Sequence, residues 1–123
     1  MSKKTVGIQL PKQARDQTVE KRYSLELEAL SPVADIVDIR ADSPAEFAAG
    51  VSEVDAIITS WGLRIDRQVI DALENCVVIG VGSVGVDMVD IDAATAAGIV
   101  VTNVPDVFIE EVADHAMAAA GCR

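Results

Sequence analysis

The 123-residue sequence has few aromatics: one Trp, one Tyr and two Phe, 3% of the chain. Val, Ile, Leu and Ala must therefore fill any core, as they do in layered α/β proteins whose strands are buried on both faces. Cysteine is scarce as well. Cys76 and Cys122 lack C-x-x-C or zinc spacing, so reduced bystander thiols are expected and a disulfide scaffold is excluded. Basic residues are outnumbered, 10 Lys and Arg against 20 Asp and Glu, for a net charge of −10. So acidic a surface repels phosphate backbones and anionic lipid, which excludes nucleic-acid and membrane partners. No apolar run approaches membrane-spanning length. The short one in "MSKKTVGIQLPKQ" ends at Pro11, too soon for a signal-peptide core, and a cytoplasmic protein is expected. The single histidine, His115, has no companions at metal-ligand spacing, so no metal site is expected.

What is present is an alternation. Five short runs rich in β-branched residues read as strands: Thr5–Leu10, Asp35–Arg40, Asp55–Ser60, Cys76–Val81 and Ile99–Val104. Helical patterns lie between them. Val19, Tyr23, Leu27 and Leu30 share one helix face, and Ile65, Val69 and Leu73 share another, with Asp66 as its cap. "SPAEFAAG" opens on Ser-Pro, and "DIDAATAAG" runs from an Asp90 N-cap to a Gly98 stop. Strand and helix in this order predict βαβ units and one parallel sheet in a single domain.

Gly80, Gly82 and Gly85 in "IGVGSVGVDMVD" carry the G-x-G-x-x-G spacing of a dinucleotide loop. The context opposes that reading. The glycines follow the fourth strand rather than the first, and a short helix comes after them rather than a long one. Asp87, Asp90 and Asp92 would also crowd a pyrophosphate with like charge. Two readings remain: a tight turn at a strand end, and an anion site made of successive N–H groups around Ser83, Val84 and Gly85.

The segment "VGSVGVDMVDIDAATAAGIVVTNVPDVFIEEVADHAMA" closely resembles the end of the N-terminal catalytic lobe of D-isomer-specific 2-hydroxyacid dehydrogenases. It is most similar to the branch of phosphoglycerate-dehydrogenase-like enzymes and C-terminal-binding-protein corepressors. The upstream "DAIITSWGLRIDRQVIDALENCVVIG" fits the same layout. The resemblance implies a flavodoxin-like α/β lobe, a five-stranded parallel sheet with helices on both faces. That lobe would span residues 1–108, and residues 109–123 would begin an incomplete interdomain helix. It implies hydride transfer between NAD and a D-2-hydroxy or 2-keto acid, with NAD held by a Rossmann domain absent from these residues. By resemblance, the backbone at Ser83, Val84 and Gly85, next to Val81, faces the substrate carboxylate. Ser60, Trp61 and Gly62 line the other side of the cleft, and Val84 and Val112 touch the nicotinamide end of the cofactor. A homodimer is implied for the intact protein.

Three positions depart from the family pattern. Val81 stands where an arginine is usual, Ser83 replaces the first motif glycine, and Met88 replaces a common asparagine. An isopropyl group supplies neither the charge nor the paired hydrogen bonds of a guanidinium. The catalytic His, its carboxylate partner and the substrate Arg of the family have no counterparts here, and His115 does not match the catalytic histidine. No catalytic residue is expected in this chain, which alone should be inactive. The ending "AAAGCR" suggests a broken or frame-shifted end. The alternative is a non-catalytic binding or dimerisation module derived from the same family. A free-standing receiver or flavodoxin is disfavoured, because Pro11 and Lys12 follow the first strand where acids or a phosphate loop should stand. Trp61 reads equally as core packing or as cleft lining.

Overall fold

A computed structural model describes residues 4–10, 12, 18–59, 63–83, 85–104 and 113–118. β1 (Lys4–Leu10) leads through α1 (Val19–Arg22) and α2 (Ser24–Leu30) to β2 (Ala34–Arg40). Next come α3 (Pro44–Gly50), β3 (Ala56–Thr59), α4 (Arg67–Ala72), β4 (Val78–Val81), α5 (Ile91–Ala96) and β5 (Val100–Thr102). Every strand pair is parallel, and the sheet order is β2-β1-β3-β4-β5. This is the flavodoxin-like doubly wound order, in which the connections change direction between β1 and β3.

Burial divides the side chains between two faces. Ile57, Ile79 and Val81 point to one side, where Phe47, Val51, Val69, Ile70 and Ala94 of α3 to α5 and their flanks complete the main core. Val6, Ile8 and Leu10 point to the other, against Tyr23, Leu27 and Leu30. Helices therefore cover both faces, as the alternation predicts. Phe47 is fully buried at the centre of the aliphatic packing.

The helix ends show why the breaks fall where they do. Ser43 Oγ accepts from Glu46 N at 3.2 Å, with Pro44 in the first turn. Asp66 and Asp90 cap α4 and α5 by accepting from Val69 N at 3.1 Å and Ala93 N at 3.0 Å. Past α5, Gly98 N donates to Thr95 O and Ile99 N to Ala94 O. That pair of bonds is a Schellman stop, and Gly98 adopts the φ of 75° it requires.

Two expectations need correction. The stripe from Val19 to Leu30 is not one helix, since Tyr23 at φ −121°, ψ 37° divides it. The break accompanies a ring that is 6% exposed in the second core cluster, and the Arg22 guanidinium lies 5.8 Å from its centroid. Among the described residues the last three strands are also shorter than the apolar runs, because only Ala56–Thr59, Val78–Val81 and Val100–Thr102 have ladder partners; Ser60 lies outside the described residues. The helix expected from Ile109 is described only at residues 113–118, which are helical and exposed. Its remaining positions lie outside the described residues.

Cys76 is free and buried, its thiol donating to Val78 O at 3.4 Å. Burial is the main reason that its pKa is raised above the ordinary thiol value. Phe47→Ala is expected to destabilise the chain by about 3–5 kcal/mol, measured by urea unfolding. A loss below about 1 kcal/mol would show that α3 does not anchor this core.

Candidate functional site

The carboxyl ends of β1, β3 and β4 meet at one edge of the sheet, beside the point where strand order reverses. Ligands of open α/β sheets bind in this crevice. Three sets of main-chain bonds hold the loops there. Gly82 N donates to Thr59 O at 2.8 Å, joining the exits of β3 and β4. Ile65 N donates to Met88 O at 2.6 Å and Asp90 N to Ile65 O at 2.9 Å, which makes a one-residue parallel bridge between Ile65 and Val89. Val104 N donates to Ser83 O at 3.1 Å and ties in the exit of β5.

Buried side chains fix those crossings from below. Leu63, Ile65 and Val89 are at most 4% exposed and belong to the main core. Thr59 is fully buried at the end of β3. The pairing of residues 63–65 with the loop after β4 escaped the sequence reading. Its signal was the period-two pattern Leu63-Arg64-Ile65, with the ends inward and the middle exposed.

Gly85 is exposed on the loop so held. Among the described hydrogen bonds, none engages the N–H of Gly85, Val86 or Asp87. Its φ lies outside the left-handed region, and a Cβ built on it would meet nothing within 4 Å. Among the described residues, none requires a glycine here. Elsewhere the need is plain: a Cβ on Gly7 would lie 2.7 Å from Ile39 Cδ1, and Gly98 has a positive φ. A strand-end glycine with open space around it suits close approach by a group from outside the chain.

Charge around the loop comes from acids. Asp87 is exposed, and the carboxylate of Asp90 is committed to the α5 cap. At the β1 exit, the Lys12 ammonium pairs with Glu46, and Lys12 N donates to Asp42 Oδ1 at 3.0 Å. A groove of about 400 Å³ adjoins the loop, lined by Val86, Ile91, Thr95, Val101 and Asn103 among others. Among the described residues, no group of three His, Cys, Asp or Glu is placed to hold a metal, and no helix is long and apolar enough to cross a membrane.

The expected site residues separate into three groups. Ser83 and Gly85 stand together on the loop. Val81 does not join them: it is 3% exposed and packs in the main core beside Ile79, on the face dictated by alternation along β4. Its side chain faces the core rather than the loop. Ser60, Trp61, Gly62, Val84 and Val112 lie outside the described residues.

A dinucleotide does not fit the Gly80–Gly85 stretch. The helix that follows has six residues and begins at Ile91, with its N-terminus already occupied by Asp90. A pyrophosphate would meet that carboxylate in place of open N–H groups.

The fold is a doubly wound α/β domain, with the loop after β4 at the carboxyl edge of its sheet. Residues 14–120 match the family model of the D-isomer specific 2-hydroxyacid dehydrogenase catalytic domain, and the chain belongs to that family. It is 35% identical over 92 residues to a D-3-phosphoglycerate dehydrogenase of Mycobacterium leprae, covering 72% of this chain and 17% of that protein. To a glyoxylate reductase of Pyrococcus furiosus it is 41% identical over 68 residues, 55% of this chain and 20% of the relative. The chain thus spans about a fifth of the length of these relatives. Among solved structures, a Pyrococcus horikoshii protein superposes with TM-score 0.74 at 32% identity, over 95% of this chain and 32% of its own. A Sinorhizobium meliloti NADPH-dependent glyoxylate/hydroxypyruvate reductase, solved with NADP and malonate, gives TM-score 0.69 at 31% identity, over 95% and 33%.

Gly85→Ala is expected to leave stability within about 0.5 kcal/mol of the parent, or to raise it slightly. Gly98→Ala should cost about 1–2 kcal/mol, because alanine is strained at positive φ. Paired thermal melts test this. Equal losses at both positions would mean that Gly85 has a structural role.

Proposed function

We propose that this chain is the substrate-binding lobe of an oxidoreductase acting on a D-2-hydroxy acid and the corresponding 2-keto acid. The observation that carries the reading is Gly85: exposed, unstrained, uncrowded, and with a main-chain N–H that no described hydrogen bond engages, on a loop tied at both ends. The family membership and the glyoxylate reductases among the relatives favour a small 2-keto acid as the occupant.

In this proposal the N–H groups from Ser83 to Gly85, with that of Val86, donate to the substrate carboxylate, and Ser60, Trp61 and Gly62 close the opposite side. Hydride exchange would require a nicotinamide coenzyme, NAD in the first instance, carried on a separate Rossmann domain. Val84 and Val112 would meet its nicotinamide end. The lobe corresponds to residues 1–108, and residues 109–123 would lead toward that domain. A soluble cytoplasmic homodimer completes the proposal, with no catalytic acid or base contributed by this chain.

Magnitudes set the expected affinity. A hydrogen bond to a charged group contributes about 1.5–3 kcal/mol. Two such bonds, opposed by the neighbouring aspartates, leave about millimolar binding at best. The lobe alone should therefore hold a keto acid weakly and NADH hardly at all.

In a ¹⁵N-resolved titration, glyoxylate should shift the Gly85 and Val86 amides with a Kd of about 1–10 mM. Sodium chloride at equal ionic strength should not. Gly85→Ala, folded and stable, should lose these shifts. Micromolar NADH binding to the same chain, or glyoxylate shifts confined to other segments, would contradict the proposal.

A further inference from the structure

The Ser83 hydroxyl donates to Gly85 O at 2.9 Å, bridging the loop across two residues. No other polar contact of that side chain is described, and Ser83 is half-buried. Two of the polar groups that Ser83 contributes are thus engaged. Its carbonyl accepts from Val104 N, and its hydroxyl proton is committed to Gly85 O.

That bond directs the next peptide. Gly85 has a permissive backbone, because it carries no Cβ and one built on it would meet nothing within 4 Å. Fixing the Gly85 carbonyl also restricts the peptide plane that carries the Val86 N–H, and restricts ψ of Gly85 itself. A hydroxyl whose proton is already donated offers only lone pairs outward, and lone pairs repel a carboxylate.

We propose that Ser83 is a positioning residue: its side chain does not contact the substrate, but holds the Gly85 peptide so that the loop N–H groups are preset for a carboxylate. This rests on the carboxylate reading given above. Preorganised donors lose less freedom on binding, and the gain appears as affinity. One net hydrogen bond corresponds to about a five-fold effect on Kd.

The ¹⁵N-labelled chain is compared with its Ser83→Ala and Ser83→Thr variants by glyoxylate titration and by amide relaxation without ligand. Ser83→Ala should weaken glyoxylate about five-fold and lower the Gly85 and Val86 order parameters from the rigid range toward about 0.6. Ser83→Thr keeps the hydroxyl and should restore both. Unchanged affinity in Ser83→Ala overturns the positioning role. Weaker binding with unchanged order parameters also overturns it, in favour of direct contact between the hydroxyl and the anion. If the parent chain shows no glyoxylate-specific shift, the carboxylate reading falls and takes this role with it. A loss of order in Ser83→Ala would then show only that the strut is structural.

Discussion

The bond from Gly82 N to Thr59 O, 2.8 Å long, is the constraint on which the functional edge depends. It continues the β3–β4 pairing one step beyond the last ladder partners, Thr59 and Val81. Without it the two exits would diverge, and the loop after β4 would have no fixed height above the sheet. The Ile65–Val89 bridge performs the same function one layer out, where the chain turns toward α4 and α5. Both connections are main-chain, but they persist because fully buried Thr59 and Ile65 keep their strands from moving. Packing beneath the edge thus sets the geometry above it.

The site belongs to a different physical class from a side-chain constellation. On the loop after β4, no described hydrogen bond engages the N–H of Gly85, Val86 or Asp87, and the neighbouring charges are acidic. In the proposed reading such a surface orients a carboxylate and supplies neither a proton nor a hydride, and the chain spans about a fifth of its curated relatives. Val81 fills the core, and the chain is adapted to an apolar group there.

Much of the fold was legible because strands buried on both faces and capped helices carry local signals. Asp66, Asp90, Ser43 and Gly98 each act where the sequence placed them. Tyr23 shows the limit. Helical periodicity marks which side chains face inward, but it cannot show that one residue leaves helical dihedrals while keeping its ring buried. The site was legible as a segment and less so as atoms. Resemblance led to the loop around Ser83 and Gly85, yet the Ser83–Gly85 bond and the Leu63–Ile65 crossing depend on tertiary geometry. Alternation with Ile79 carried the information that the Val81 side chain faces the core.

The central claim is that main-chain donors on the loop after β4 receive a carboxylate. A crystal of this chain soaked with glyoxylate tests it most directly. The account requires a carboxylate oxygen within about 3.2 Å of Gly85 N or Val86 N. An anion seated instead at Lys12, or in the groove beside α5 with the loop left empty, would contradict it.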